Sequence, residues 1–249
     1  MGERYNDAEL MAVVISREVR NDEISATGAL SPIPAAGLLL ARERQAPHAE
    51  ILILGSPAFM PFQTSRQFHF LAQRGELGLF FVSGIQIDRH GNYNLHMLGA
   101  DQERPEQRFP GGYGGGMIYY AARRTILFRT EHSRRTLVEK VDFVSAAGSS
   151  PPEVLRYGRP TKLVTPLATL TMHPTEQVLK LESCHPPHTP QEVAAHTGFD
   201  LGDLSGVATT PAPTEEELAL LRGAVRPRMI ETGTYADWAQ ANIGAQGVA

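Results

Sequence analysis

Five glycines occupy the six positions 111–116 within the segment PGGYGGGMIYYA, residues 110–121. Glycine loses much backbone entropy on folding, so such a cluster is typical of a backbone that approaches a ligand closely. Met117 stands where G-x-G-x-x-G requires its third glycine, and no Gly-Lys-Ser/Thr follows. Two hypotheses remain: a loop whose N–H groups face an anion or a developing oxyanion, and a tight structural turn.

A second polar segment, GIQIDRHGNYN at residues 84–94, follows the apolar run LGLFFV. Ligands of α/β proteins bind at the carboxyl ends of parallel strands, where such a segment would lie. Gln86, Asn92 and Asn94 carry uncharged amides that can orient a carbonyl group. The pair Gly91-Asn92 is equally typical of a simple turn, so both interpretations stay open.

Carboxylates for acid–base or nucleophilic chemistry are scarce at the predicted strand ends. Gly55-Ser56-Pro57 follows the strand EILIL, and Glu50 stands at the start of that strand, which is the wrong end. Asp88 follows LGLFFV, and Glu131 follows TILFRT beside His132. The sequence therefore offers no carboxylate at the end of the first strand.

Cys184, His185 and His188 form the one cluster of metal-ligand residue types in a short stretch. Two prolines separate the histidines, and no second cluster completes a set of four ligands, so we predict no metal site. A single cysteine also excludes a disulfide framework.

The composition indicates a globular protein of 249 residues with a net charge of −4. The absence of a basic patch argues against a nucleic-acid partner. No apolar run approaches the ~18 residues of a membrane span. The polar, acidic start MGERYNDAEL does not resemble a secretory signal, so we expect a cytoplasmic protein.

Apolar periodicity and helix caps predict the elements that position these residues. Asn6 with Glu9, and Thr214 with Glu217, are capping pairs that start helices. Further helices are predicted at 35–44 and in TPQEVAAH, and strands in NDEISATG, EILIL, LGLFFV, RRTILFRTE, KVDFVSAAG, TKLVTPLATLTM and VLKLESC. The alternation predicts an α/β fold with a mainly parallel open sheet flanked by helices. We expect one domain over 1–226 and an irregular tail over 227–249.

The order of several segments resembles the β subunit of family I coenzyme A transferases, especially the glutaconate type. It is also similar to the β subunit of the steroid-ring-cleaving CoA-ester hydrolases. The resemblance covers roughly residues 7–228. It rests on ISATGALSPIPAAGLLLAR, GIQIDRHGNYN, GGYGGGM, KVDFVSAAG, TKLVTPLATLTM and LKLESCHPPHTPQEVAAHTGFDL.

The resemblance implies a CoA-transferase-like fold and a homologous α subunit as partner, in an α2β2 assembly. It implies an acyl-CoA thioester as substrate, with no permanently bound cofactor, no nucleic acid and no membrane. By the same resemblance, Gln86, Asn94, Gly112, Gly114 and Gly115 hold the CoA thioester and its oxyanion.

In the transferases a glutamate of the β subunit attacks the thioester at the end of the strand that corresponds to EILIL. That position falls here at Leu54 and Gly55, so this chain lacks the expected nucleophile. The main hypothesis is CoA transfer between carboxylic acids. One alternative is a C–C or thioester hydrolase that acts on a cyclic β-keto-acyl-CoA, with the catalytic carboxylate on the α subunit. The other is a non-catalytic scaffold that completes the CoA pocket.

Overall fold

The computed structural model describes residues 5–244. Their contacts group into two compact units. Unit 1 contains residues 5–68, 77–81 and 211–244 of the described chain, and unit 2 contains residues 69–76 and 82–210. The single domain over 1–226 stays a prediction.

Helices occur in both units and are short except for the first two. Their bounds are α1 (Asp7–Ser16), α2 (Pro32–Arg44), α3 (Ser65–Gln73), α4 (Gly115–Ala121), α5 (Pro190–His196), α6 (Glu215–Leu220), α7 (Arg226–Glu231) and α8 (Ala236–Asn242). A π-helical turn, Leu221–Val225, joins α6 to α7.

The strands range from two to six residues in length. Their bounds are β1 (Ile24–Thr27), β2 (Glu50–Ile53), β3 (Leu77–Val82), β4 (Gln86–Asp88), β5 (Tyr93–Asn94), β6 (Met97–Leu98), β7 (Gln107–Arg108), β8 (Arg124–Phe128), β9 (Leu137–Val138), β10 (Arg159–Val164), β11 (Ala168–Met172), β12 (Leu179–Cys184) and β13 (Ala208–Thr209).

In unit 1, β1 lies between β2 and β3 and pairs with both in parallel. Ala26 is opposite Leu52 on one side and Phe80 on the other, and all three are buried. Strands buried on both faces read as continuous apolar runs, which is why EILIL and LGLFFV were recognisable. The carboxyl ends of β1 and β2, at Thr27 and Ile53, lie at the same edge.

Helices α1 and α2 approach each other closely beside these strands. A Cβ atom at Gly37 of α2 would lie 2.6 Å from Cγ2 of Ile15 and 2.9 Å from the carbonyl oxygen of Ala12. Real Cβ atoms do not come so near, so this crossing requires glycine. The helix predicted over 35–44 is confirmed and starts three residues earlier, with Pro32 in its first turn.

Both predicted capping pairs are present, and each capping glutamate is also a buried ion-pair partner. Glu9 caps α1, is fully buried, and accepts two hydrogen bonds from Arg222 at 2.7 and 2.8 Å. Glu217 caps α6 and accepts from Arg17 at 2.9 and 2.7 Å. These pairs join residues from the two ends of the chain within unit 1.

In unit 2, β10 pairs in parallel with β8, and β12 pairs in parallel with β13. Strand β11 pairs antiparallel with both β10 and β12. Most pairings among the longer strands are parallel, which confirms the mainly parallel α/β fold. The segment TKLVTPLATLTM forms two antiparallel strands instead of one, because its chain reverses between Val164 and Ala168.

The strand predicted in KVDFVSAAG is wrong. The segment is irregular, and only Ala146 makes an isolated bridge, to Tyr93. Its polar groups bind another part of unit 2 instead of a neighbouring strand. The amide of Asp142 donates to the side chain of Gln86, and Ser145 bonds to the segment that contains His96.

We expected irregular structure over 227–249, and the structure has α7 and α8 in this part of the chain. Met229 and Ala239 are their buried residues. Positions 245–249 of the predicted tail lie outside the described residues. Within residues 5–244, no helix is long and apolar enough to cross a membrane.

Replacement of Arg222 by leucine tests the pairing between α1 and the C-terminal segment. Removing one partner of a buried pair leaves the other charge unpaired, which costs about 3–5 kcal/mol when both partners are buried. Because Arg222 is 38% exposed, we expect a loss of about 2 kcal/mol in the free energy of unfolding. Urea denaturation of the full chain measures it.

The control for this measurement is Arg74→Leu. Arg74 pairs with Glu76 in unit 2, where both side chains face solvent, and exposed pairs contribute little. Equal urea midpoints for the two variants would show that the Glu9 pair is no more important than a surface pair.

Candidate functional site

The glycine loop, residues 110–116, bends through several left-handed backbone conformations. Gly111, Tyr113 and Gly114 have φ angles of +94°, +46° and +82°. A Cβ at Gly114 would lie 2.5 Å from Nε2 of His69, so both the backbone angle and the space require glycine there. Glycine at 114 therefore has a structural cause.

Three consecutive amides of this loop are available to a ligand. Within residues 5–244, the N–H groups of Gly112, Tyr113 and Gly114 have no hydrogen-bond partner. By contrast, Gly111 donates to the carbonyl oxygen of Leu95 at 3.1 Å, and Gly115 to that of Gly112 at 2.6 Å. Successive free N–H groups beside left-handed residues are a common site for anions and oxyanions.

Gln86 and Asn94 face each other across β4 and β5. Nδ2 of Asn94 donates to Oε1 of Gln86 at 2.9 Å and to the carbonyl oxygen of Met97 at 2.6 Å. Its Oδ1 accepts from the amide of His96 at 3.0 Å. Asn94 is fully buried, so its side chain holds the turn Asn94–Met97 in shape.

This turn supports the glycine loop from behind. The amides of Phe109 and Gly111 donate to the carbonyl oxygens of His96 and Leu95, at 2.8 and 3.1 Å. The structure thus brings together the five predicted residues of unit 2, with Gln86 and Asn94 beneath the loop and Gly112, Gly114 and Gly115 within it. Gly115 is the first residue of α4.

His96 is a residue of this region that sequence reasoning missed. Its Nδ1 lies 2.5 Å from Oγ of Ser145, and its Nε2 faces Gly111. The available sequence signal was a titratable residue two positions after an asparagine that forms a turn. Tyr93 was missed as well: its hydroxyl is buried without a hydrogen-bond partner among the described residues, and burial raises its pKa.

Asp88 and Glu131, the carboxylates at strand ends, have partners within the chain. Asp88 accepts hydrogen bonds from the amides of His90 and Asn92, at 3.0 and 3.1 Å. Glu131 accepts from Arg135 and Ser133, and these bonds lower its pKa to about 2. A carboxylate held in this way is a poor general base at neutral pH.

The histidines near Cys184 do not gather a metal set. Residues 5–244 contain no group of three or more His, Cys, Asp or Glu side chains arranged to hold a metal ion. His185 bonds through Nδ1 to Thr210 at 2.9 Å, and His132 lies between Thr165 and Thr197, at 2.7 and 2.9 Å. Burial is the main cause that lowers the pKa of each imidazole to about 4.

The coenzyme A transferase family model matches residues 8–196. The chain belongs to the coenzyme A transferase family. One relative is the B-type subunit of the 3-oxoadipate CoA-transferase of Pseudomonas knackmussii, which is 28% identical over 244 residues that cover 88% of this chain and 92% of that protein. The cholesterol ring-cleaving hydrolase IpdB subunit of Rhodococcus jostii is 32% identical over 149 residues, 58% of each chain.

The solved glutaconate coenzyme A-transferase of Acidaminococcus fermentans shares the fold. It matches with a TM-score of 0.79 and 23% identity over 92% of this chain and 98% of that one. The predicted family resemblance and the CoA-transferase-like α/β architecture are therefore confirmed.

In this member of the coenzyme A transferase family, Leu54, Gly55 and Ser56 follow β2. Ser56 is buried, and its hydroxyl lies 2.5 Å from that of Thr234. The hydroxyl of Tyr235 donates to the carbonyl oxygen of Leu54 at 3.3 Å. Gly55, Ser56 and residues 233–238 line an open pocket of about 420 Å³ in unit 1.

Alanine at position 114 tests the shape of the loop. An alanine at φ +82° is strained, and its Cβ collides with His69, so we expect a loss of about 1–3 kcal/mol in the free energy of unfolding. Gly112→Ala is the matched control, since its Cβ would meet nothing closer than 3.8 Å and its φ is not left-handed. Urea denaturation should separate the two variants, and equal stability would contradict the described loop.

The buried histidines predict sensitivity to acid. Their pKa is about 4 in the folded chain and about 6.5 when unfolded, so the unfolded chain binds more protons between these values. The stability they contribute is complete above pH 6.5 and is lost as the pH falls toward 4. Between pH 7 and pH 5 we expect a loss of about 2 kcal/mol for each histidine.

The measurement is urea denaturation at pH 7 and pH 5. His132→Asn should be less stable at pH 7 but should lose about 2 kcal/mol less than the native chain on acidification. His48→Asn, at an exposed position, should keep the native pH dependence. An unchanged pH dependence in His132→Asn would show that His132 protonates equally well in both states.

Proposed function

We propose that this chain is the β subunit of a heteromeric, CoA-transferase-like enzyme that acts on an acyl-CoA thioester. The partner is a homologous α subunit, in an α2β2 assembly. Membership of the coenzyme A transferase family supports this proposal, as do relatives that are themselves named as single subunits of larger enzymes. The main reaction is transfer of CoA between carboxylic acids.

The observation that carries the proposal is the row of free amides in the glycine loop. A thioester carbonyl gains negative charge when it is attacked, and fixed N–H donors stabilise that charge. The amides of Gly112, Tyr113 and Gly114 provide such donors on a loop whose shape is set by the turn beneath it. Gln86 and Asn94 contribute by holding that turn.

A second candidate function is hydrolysis of a C–C bond or of the thioester in a cyclic β-keto-acyl-CoA. It is favoured by the residues after β2, because Leu54 and Gly55 stand where the transferases have a glutamate. Ser56 offers no substitute, since its hydroxyl is buried against Thr234 and no imidazole among the described residues bonds to it. The catalytic carboxylate would then come from the α subunit. The similarity to the IpdB subunit supports this candidate.

The test uses the full chain co-purified with the homologous α-type chain encoded beside it. The complex is incubated with 3-oxoadipyl-CoA or glutaconyl-CoA and with labelled acetate as acceptor. Label that enters a CoA ester without release of free thiol establishes CoA transfer. Free thiol without an acceptor establishes thioester hydrolysis, and an ester that gains one water and retains CoA establishes C–C hydrolysis.

Variants connect the reaction to the loop. Loss of a well-placed oxyanion donor costs about 100-fold in kcat. We expect Gly114→Ala, which displaces the loop, to lower kcat by about that factor, while Gly112→Ala stays near the native rate. If a complex forms and binds the esters but shows none of the three reactions, the chain is a scaffold. If it binds no acyl-CoA, the proposal is wrong.

A further inference from the structure

His96 lies directly beneath the glycine loop, and the two nitrogens of its imidazole have different surroundings. It occupies the turn between β5 and β6, where Oδ1 of Asn94 accepts its backbone N–H. The ring lies 5.0 Å from that of Phe143, centroid to centroid, at an angle of 44°. Backbone and ring are thus both held, so the direction of each nitrogen is fixed.

The first nitrogen, Nδ1, receives a hydrogen bond. Oγ of Ser145 accepts the amide N–H of Leu95 at 2.7 Å and lies 2.5 Å from Nδ1 of His96. Among the described residues, Nδ1 is the only acceptor that the Ser145 hydroxyl proton reaches. A neutral imidazole that accepts at Nδ1 carries its proton on Nε2. The chain Leu95 to Ser145 to His96 therefore selects the Nε2–H tautomer.

The second nitrogen, Nε2, points at the loop and has no partner within residues 5–244. A Cβ at Gly111 would lie 3.0 Å from Nε2, and one at Gly112 would lie 3.8 Å from Cε1. The two glycines thus leave no side chain between the imidazole and the loop. A donor with a fixed proton and no acceptor stands beside the free amides of residues 112–114.

We propose that His96 donates its Nε2–H to the thioester carbonyl oxygen of the bound acyl-CoA, alongside the amides of the glycine loop. Ser145 is the positioning residue that keeps the proton on Nε2. This inference rests on the proposed function and adds a catalytic donor to it. The contribution is a hydrogen bond to the oxygen on which negative charge develops, and no bond of the substrate is formed or broken by the imidazole.

A nucleophile–base pair of Ser145 and His96 is the competing interpretation of the same contact. In such pairs a third group holds the far nitrogen of the imidazole and orients the base. The described residues provide no such group at Nε2 of His96. The geometry therefore favours the donor over the base, and the experiment separates them.

The first measurement is the tautomer of His96 in the full chain, which needs no substrate. Imidazole ¹⁵N chemical shifts, assigned by comparison with His96→Gln, should show a protonated Nε2 and an unprotonated Nδ1. Ser145→Ala should give a mixture of both tautomers. A protonated Nδ1 in the neutral native ring would overturn the proposal.

The second measurement is the carbonyl stretch of [1-¹³C]acetyl-CoA bound to the full chain in its heteromer. A hydrogen bond lowers the frequency of the carbonyl stretch, so it should rise in His96→Leu and stay low in His96→Gln, whose amide keeps a donor. With the turnover substrate, His96→Leu should lower kcat about 100-fold with little change in KM. His90→Leu, at an exposed position, is the control and should match the native enzyme.

The outcomes distinguish this inference from the proposed function. If native protein shows no saturable binding of acetyl-CoA or the turnover substrate, both proposals fail. If the native protein and His96→Leu bind the ester with the same carbonyl frequency, only the role of His96 is wrong. An acetyl group found by mass spectrometry on Ser145 would overturn the donor assignment and establish the nucleophile.

Discussion

The buried side chain of Asn94 is the constraint on which the candidate site depends. Its amide hydrogens bind Gln86 and a turn carbonyl, and its oxygen accepts from the backbone of His96. A buried amide must have partners, so the turn Asn94–Met97 is limited to one arrangement. The carbonyl oxygens of that turn then bind the strand before the glycine loop, which leaves the N–H groups of residues 112–114 free.

Unit 1 depends on a related double use of a polar side chain. Glu9 and Glu217 each satisfy the first amides of a helix, and each also pairs with an arginine at least 200 positions away. Because removal of either partner would leave a charge buried, these pairs tie the beginning of the chain to its C-terminal segment. Residues from both ends of the chain therefore belong to one compact unit.

The division of chemical groups explains why a subunit of this kind would act with a partner. Unit 2 offers hydrogen-bond donors, namely the loop amides and the imidazole of His96. The carboxylates Asp88 and Glu131 are already bonded within the chain. Donors stabilise charge on a carbonyl oxygen but do not attack the carbonyl carbon. A second chain that supplies the carboxylate would complete the reaction under either candidate function.

Local patterns in the sequence determined the parallel strands, the two capping boxes and the glycine loop, because burial on both faces, end caps and left-handed backbone each leave a signal within a few residues. Only the tertiary structure decided that TKLVTPLATLTM reverses into two strands and that KVDFVSAAG is irregular. It alone also brought Ser145 to His96, 49 positions away. Hydrogen bonds between distant segments decide these features, and neither segment by itself carries information about its partner.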